Sequence, residues 1–454
     1  MVHTFEYEYK GNNYYLMWDV ESGSLSLLDY VAFLCAKKRY CKNLTETEEI
    51  DYQKIDASEK AELEAHFFDL ESNGELNAKP IITEFCKDSH TVKALCLHIC
   101  HDCNLACEYC FASGGTYHTE RDYMSLEVGK KAIDFLISNS GKRQNLEVDF
   151  FGGEPLLNLQ VVKDIVTYAK QQGEKHGKTF NFTMTTNCLL LNKENIDYLN
   201  KEMDNIVLSI DGRREVHNAV RKSLNGKDCF DTILKNAINM RKARGDKKYY
   251  VRGTFTANNL DFSKDILALN DYGFDQISVE PVVLEETSPM ALKKEHLEKI
   301  LDEYEKFSKE YLDRRNDDGR WFNFFHFMID LEHGPCPNKR LTGCGAGTEY
   351  LAVTPIGEIY PCHQFAGKNE YKIGDVFQGI DNQKIRDNFA KICVLNKEHC
   401  QDCFAKYFCG GGCSANALNL SGKLDGQYEL GCEMTKKRLE LSLAVLALEK
   451  KLFS

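Results

Sequence analysis

The sequence is short of the features that mark a secreted, membrane-spanning or nucleic-acid-binding chain. Its opening residues, MVHTFEYEYKGNNYY, hold no charged segment followed by an apolar one, so no secretion signal is expected. No apolar run reaches the ~18 residues a spanning helix needs. Positive charge is in deficit: Lys and Arg total 57 against 69 Asp and Glu, a net charge of −12. A chain without a basic stripe is a poor match for sequence-independent nucleic-acid binding. Low-complexity linkers are absent too. These absences predict a cytoplasmic chain with neither nucleic acid nor membrane as partner.

Cysteine, by contrast, is abundant, at 19 of 454 residues. In a reducing compartment clustered cysteines read as metal ligands or catalytic groups rather than disulfides. At roughly 150 residues per domain the length predicts two to four domains.

Residues 1–85 read as a small domain. Phe5, Tyr7 and Tyr9 alternate with polar residues, Gly11-Asn12-Asn13 makes a turn, and Tyr14–Asp19 forms a second strand. Helical patterns follow over Leu27–Arg39 and Ser58–Glu71. Such a ribbon with helices suits a binding module or a structural cap better than a catalyst.

Strands and helices alternate over residues 86–330. Strands are expected at Leu95–Ile99, Leu146–Phe151, Phe180–Thr185, Ile206–Ile210, Tyr250–Phe255 and Ile277–Val283. Between them lie helical patterns near Leu126–Ser138, Val161–Gln172, Lys193–Asn200, Thr232–Ala243, Ser263–Tyr272 and Lys293–Tyr311. The fold class is therefore α/β, with a parallel sheet forming a barrel that does not close. In such folds the working groups follow the C-terminal ends of the strands. The unusual residues do so: the first cysteines follow Leu95–Ile99, Gly152-Gly153-Glu154-Pro155 follows Leu146–Phe151, Thr186-Asn187 follows Phe180–Thr185, and Asp211-Gly212 follows Ile206–Ile210. From residue 331 to 454 the chain is cysteine-rich, with short helices and a closing helix over Glu433–Lys451.

The stretch LHICHDCNLACEYCFASGG contains Cys100, Cys103, Cys107 and Cys110. All four together would make a closed zinc site. Cys103, Cys107 and Cys110 alone have the spacing C-x3-C-x2-C, and three thiolates on a four-iron cluster leave one iron open to a small molecule.

CNLACEYCF, with Tyr109 before the last cysteine, resembles the signature of the radical S-adenosylmethionine (SAM) superfamily. The resemblance implies a partial (β/α)6 barrel in which Cys103, Cys107 and Cys110 hold a 4Fe–4S cluster. Its open iron chelates SAM, and reductive cleavage gives a hydrogen-abstracting radical. Gly152, Gly153 and Glu154 match the family's GGEP segment, where glycines permit close backbone approach and Glu154 or nearby carbonyls would accept from the SAM ammonium. Ser209 and Arg221, in SIDGRREVHNAVR, resemble its SLDG…R segment and suit the methionine carboxylate. Thr185, Thr186 and Asn187 are expected ribose contacts. Cys100 reads as a small packing residue at the strand end.

A second set, Cys344, Cys362 (C-x12-G-x4-C with Gly357), Cys400, Cys403, Cys409, Cys413 (C-x2-C-x5-C-x3-C) and Cys432, resembles the SPASM extension. The resemblance implies two auxiliary 4Fe–4S clusters, three clusters in all. Cys400, Cys403, Cys409 and Cys432 close one; Cys344, Cys362 and Cys413 hold the other. Cys336 is either its fourth ligand or a bystander that leaves an open iron, able to bind a substrate thiolate. Cys35, Cys41, Cys86, Cys96, Cys188, Cys229 and Cys393 lack ligand spacing, and most should be core residues.

Taken over nearly the whole length, the chain resembles peptide maturases. The N-terminal part resembles a winged-helix-like, leader-peptide-binding domain that works by adding a strand to a sheet edge. Thr342–Gly367 is most similar to thioether-forming maturases of small cysteine-rich (SCIFF) peptides. This implies a Cys-to-carbon crosslink in a ribosomally made cysteine-rich precursor peptide bound through its leader, with an external electron donor. Formylglycine formation is the alternative reaction, and a non-catalytic iron–sulfur electron carrier the alternative class. GGEP and SIDG…R speak against the carrier, which needs no SAM pocket.

Overall fold

The computed structural model describes all residues except 81, 318, 332–336 and 454, and the side chains of all but these and 337, 338 and 450–453. The sequence expectation for Cys336 lies outside the described residues.

The chain opens with an antiparallel three-stranded sheet, β1 (Val2–Tyr9), β2 (Asn12–Asp19) and β3 (Leu25–Leu28), in that order. The β1–β2 turn is Lys10-Gly11, both at positive φ (54° and 77°), so the second strand starts at Asn12 rather than Tyr14. The sequence pattern predicts a helix over Leu27–Arg39; Leu25–Leu28 instead pairs with β2, α1 starts at Tyr30 (Tyr30–Ala36), and a π-helical turn over Lys37–Cys41 carries the helix past Arg39. The break is chemical: the Asp29 carboxylate accepts from the Ala32 N–H, a cap that fixes the helix start. Helices α2 (Glu46–Lys54) and α3 (Ala57–Ser72) complete this module; α2 has no counterpart in the sequence expectation. One side of the module has its own apolar core, including Met17, Cys35 and Phe67. The other side joins the main core: the Tyr7 hydroxyl lies 2.9 Å from Ser308 Oγ, and Tyr9 donates to Asp313 at 2.7 Å.

The expected strand–helix alternation then follows. In chain order the elements are β4 (Ala94–Cys100), β5 (Leu105–Cys107), α4 (Leu126–Asn139), β6 (Asn145–Gly152), α5 (Leu159–His176), β7 (Thr179–Thr186), α6 (Lys193–Glu202), β8 (Asn205–Ser209), α7 (Arg214–Val220), β9 (Arg221–Ser223), α8 (Phe230–Arg244), β10 (Tyr249–Phe255), α9 (Ser263–Asp271), β11 (Gln276–Pro281), α10 (Leu297–Arg315) and β12 (Asn323–Phe324). All six expected strands are present within a residue or two of their expected ends. The sheet order β12-β11-β10-β8-β7-β6-β4 is parallel and does not close. It continues instead into the cysteine-rich region. β13 (Tyr350–Val353) pairs parallel with β4, followed by antiparallel β14 (Glu358–Tyr360), β15 (Gly374–Asp375) and β16 (Gly379–Ile380). The sheet therefore has eleven strands. The C-terminal helices are α11 (Pro337–Thr342), α12 (Gln383–Ala390), α13 (Glu398–Gln401), α14 (Lys406–Cys409), α15 (Ser414–Ser421) and the long α16 (Glu429–Phe453). Among the described residues no helix is long and apolar enough to cross a membrane.

Strand parity sorts the barrel residues. On β6, Leu146, Val148 and Phe150 are fully buried in the main apolar core, while Phe151 and the glycines after it line the cavity at the barrel mouth. Apolar burial of this kind contributes roughly 25 cal/mol per Å² and holds the mouth's loops on a rigid frame.

Candidate functional site

The mouth of the barrel opens on a cavity of about 1030 Å³. Its wall holds Cys103, Cys107 and Cys110 from the loop after β4, and Cys400, Cys403, Cys409, Cys413 and Cys432 from the C-terminal region.

The first cysteine loop is fixed from two sides. β5 pairs antiparallel with β9, setting Cys107 opposite Arg221. The GGEP segment clamps the other end: the Gly153 N–H donates to Cys100 O at 2.9 Å and the Glu154 N–H to Asp102 O at 2.8 Å. A Cβ on Gly152 would stand 2.3 Å from Cys100 O, and one on Gly153 only 1.8 Å from Asp102 O. These glycines therefore admit the cysteine loop's own backbone, a nearer partner than the ligand expected from sequence.

The other residues expected at the SAM site converge on the same wall. Gly153, Thr185, Asn187, Ser209 and Arg221 all line the cavity. Glu154 is buried, and its carboxylate accepts from Leu156 N–H (3.0 Å), Thr186 Oγ1 (2.8 Å) and Asn187 N–H (2.8 Å). Burial raises its pKa to about 7 despite these donors. It ties β6 to β7. The Asn187 side chain donates to Asn104 Oδ1 at 2.7 Å and lies 3.7 Å from Cys103 Sγ. Arg221 is already paired: Nε and Nη2 donate to the two Asp211 oxygens at 2.8 and 3.1 Å. Asp211 also accepts from Tyr109 and from the Thr254 N–H. Thus Tyr109, Asp211 and Arg221 form one buried unit behind the cysteine loop. Cys100 is fully buried and its thiol lies 3.3 Å from Asp102 O and 3.1 Å from Glu154 O, either of which accepts its one proton.

The eight thiols on the cavity wall, together with Cys344 and Cys362, fall electrostatically into three groups. Cys103 interacts with Cys107 and Cys110. Cys362 interacts with Cys344 and Cys413. Cys400, Cys403, Cys409 and Cys432 interact among themselves. Among the described residues no three side chains converge closely enough for one ion. Fit to a bound group therefore rests on the donors. Burial pushes the thiol of Cys103 up to about 12 and those of Cys107 and Cys400 to about 11. Bare thiols there stay protonated, and ionise only against a soft cation such as iron or zinc. With thiols as their only ligating groups, the three sets fit iron–sulfur ligation.

Several cavity residues lie outside the sequence expectation. On β10, Tyr250, Arg252 and Thr254 alternate into the cavity, and on β11 so does Glu280. A single charged residue within each otherwise uncharged strand is the available signal. Arg438 donates to His326 Nδ1 at 3.1 Å; Arg can only donate, so Nδ1 accepts and Nε2 carries the proton, 3.1 Å from Glu280 Oε2. Burial opposes ionisation of Glu280, but the His326 ring beside it and the guanidinium charges of Arg252 and Arg438 prevail and hold its carboxyl well below the usual range. The His363 ring packs at a tilt against Phe111 and Phe151, with a buried Nδ1 that has no partner among the described residues.

Of the cysteines without ligand spacing, Cys35, Cys96, Cys188, Cys229 and Cys393 are buried, while Cys41 is half-buried and Cys86 exposed.

Comparison with known proteins gives the class. Residues 97–256 match the family model of the Radical SAM superfamily. The chain thus carries a radical SAM domain, followed by a cysteine-rich C-terminal region. It is 23% identical over 331 residues to a cysteine-type anaerobic sulfatase-maturating enzyme of Clostridium novyi, covering 69% of this chain and 86% of that one. The structure of polyhistidine-tagged anSMEcpe with bound AdoMet superposes with a TM-score of 0.66 at 18% identity, covering 80% of this chain and 96% of that one. Streptococcus suis SuiB bound to its precursor peptide SuiA superposes at 0.52 and 15% identity, covering 94% and 97%. These structures share the fold.

Proposed function

We propose that the protein is a radical SAM peptide maturase that installs Cys-to-carbon thioether crosslinks in a ribosomally made, cysteine-rich precursor. The observation that carries this is a cavity whose wall holds both the first three-cysteine loop and five C-terminal cysteines, Cys400, Cys403, Cys409, Cys413 and Cys432. A substrate there touches both regions at once.

In this reading Cys103, Cys107 and Cys110 hold the first 4Fe–4S cluster. Gly152, Gly153, Glu154, Thr185, Asn187, Ser209 and Arg221 surround SAM. Cys344, Cys362 and Cys413 hold one auxiliary cluster; Cys400, Cys403, Cys409 and Cys432 hold the other. When bound, the clusters and SAM, fed by an external electron donor, supply a radical that removes a hydrogen atom from a substrate carbon. The chain's residues position this chemistry. β5–β9 pairing and the glycine clamp fix the first cysteine loop, and Tyr109–Asp211–Arg221 backs it. The crosslink removes two hydrogens from the peptide: one as an atom from carbon, and one from the thiol as a proton plus an electron, which an auxiliary cluster held by the C-terminal cysteines would accept.

The division 1–85, 86–330 and 331–454 assigns leader recognition to the first part, cofactor chemistry to the second and auxiliary clusters to the third. The antiparallel sheet ends on β3, an edge suited to an added peptide strand. The 94% coverage by peptide-bound SuiB, against 80% by anSMEcpe, favours this over the sulfatase-type reading, since only the larger share requires the N-terminal module to match. Formylglycine formation is the second reading, favoured by the Clostridium novyi relative.

Anaerobic incubation with SAM, dithionite and a cysteine-rich precursor should yield 5′-deoxyadenosine and a peptide lighter by two hydrogens with one thiol fewer. No deoxyadenosine from iron-reconstituted protein would sink the enzyme reading. Deoxyadenosine with conversion of a sulfatase-type cysteine peptide, and no crosslink, would favour the second reading.

A further inference from the structure

The turn joining β2 to β3 reaches the C-terminal cysteines. Glu21 Oε1 lies 2.8 Å from Lys406 Nζ, and the Tyr407 hydroxyl donates to Oε2 at 2.8 Å. The two charged side chains are only 6% and 7% exposed. A buried ion pair persists where its geometry is held on both sides. On Glu21's side, Asp19 Oδ1 accepts from the Glu21 N–H at 2.9 Å, Asp19 Oδ2 from the Ala78 N–H at 2.9 Å, and Asp19 O from the Gly23 N–H at 2.8 Å. On the other side, the Lys406 N–H donates to Cys403 O at 3.2 Å and the Cys409 N–H to Ala405 O at 2.8 Å. Lys406 therefore stands on the backbone bridge between two thiols of the four-cysteine group. A second contact runs alongside: the His3 ring stacks on Phe404 with centroids 3.6 Å apart, and His3 Nε2 lies 2.8 Å from Glu440. Val20, Ser22, Gly23 and Lys406 face the same cavity as Cys403 and Cys409.

We propose that Glu21 of the N-terminal module is a positioning residue for the four-cysteine group of Cys400, Cys403, Cys409 and Cys432. It fixes the Cys403–Cys409 bridge through Lys406 and Tyr407, and it balances the charge of the ammonium carried by that bridge. The inference rests on the reading that the four thiols hold an iron–sulfur cluster. The potential of such a cluster follows its net surrounding charge and hydrogen bonding. Removing Glu21 exposes one positive charge; removing Lys406 exposes one negative charge. The two changes act with opposite sign on the same cluster and on no other.

The test is potentiometric EPR titration of the full-length, iron-reconstituted chain and three variants. Glu21→Gln should move one cluster's midpoint potential to a more positive value. Lys406→Met should move the same cluster to a more negative one. The double variant should return toward the parent value, with the other clusters unmoved throughout. Shifts of the same sign, shifts spread over all clusters, or no shift at full iron content would each overturn the inference. Should the single variants lose iron, the double variant decides, because it buries no lone charge: iron retained there supports charge balance, and iron lost there overturns it. A parent chain with no iron beyond the first three-cysteine loop would overturn the cluster reading itself, and this inference with it. Full iron with unmoved potentials overturns this inference alone.

Discussion

Arg221 grips Asp211 by two parallel hydrogen bonds, 2.8 and 3.1 Å, directly behind the cysteine loop, with Cys107 opposite Arg221 in the β5–β9 pairing. Both partners are buried, so neither charge is cheaply left alone. Asp211→Asn should destabilise the chain by ~3–5 kcal/mol, the usual cost of breaking a buried pair by removing one partner. Denaturant unfolding of the metal-free chain measures it. The same variant should weaken SAM binding, because the arginine loses its fixed direction.

Gly153 admits the carbonyl of Asp102 where a Cβ would stand 1.8 Å away. Gly153→Ala should therefore displace the first cysteine loop while leaving the C-terminal cysteines in place. Iron analysis should find only the first cluster's iron lost, and SAM cleavage abolished. Retention of full iron and activity would show that the loop has slack.

Glu154 gives a pH signature. Its pKa is raised to about 7 in the fold by burial, against an ordinary value of 4.5. Its protonated form is the favoured one in the native state. Its contribution to stability is thus fully present below about pH 4.5 and is lost as pH rises toward 7, a change on the order of 3 kcal/mol. Comparing unfolding free energies of parent and Glu154→Gln between pH 4.5 and 7.5 should show a steeper decline in the parent. Parallel curves would contradict this.

The free edge of β3 gives a test of leader binding. On its other side β3 pairs with β2, Ser26 opposite Met17 and Leu27 opposite Leu16. Leu27→Pro removes a backbone donor from this edge strand. It should weaken leader-peptide affinity by roughly tenfold or more, about 1.4 kcal/mol, while SAM cleavage without peptide stays unchanged. Calorimetry with the isolated leader and deoxyadenosine quantification separate the two effects.

Much of this is legible in the sequence. The six barrel strands stand out because each is a short apolar run bounded by a turn and followed by a helical period. The cysteine spacing and GGEP locate the mouth of the barrel. What is not legible depends on partners distant in the chain. Leu27 and Leu28 look helical until β2 offers them a ladder, and Asp29 shows only in the fold that it starts a helix. Tyr350–Val353 extends the sheet because β4 has an unpaired edge, a fact no local pattern carries. Arg221 reads as a ligand-binding fork in isolation; Asp211, ten residues earlier, occupies it. Arg252 and Glu280 become visible once strand parity turns them into the cavity.

The interlock of Gly152 and Gly153 with Cys100 and Asp102 bears on how such a site can be moved or redesigned. The cysteine loop and the GGEP turn are shaped against each other like two halves of one casting. A graft of CNLACEYC onto another barrel would carry the right thiols and still lack the mould that sets them. Loop and turn form the smallest transferable unit, and mutational libraries of this region should vary them together.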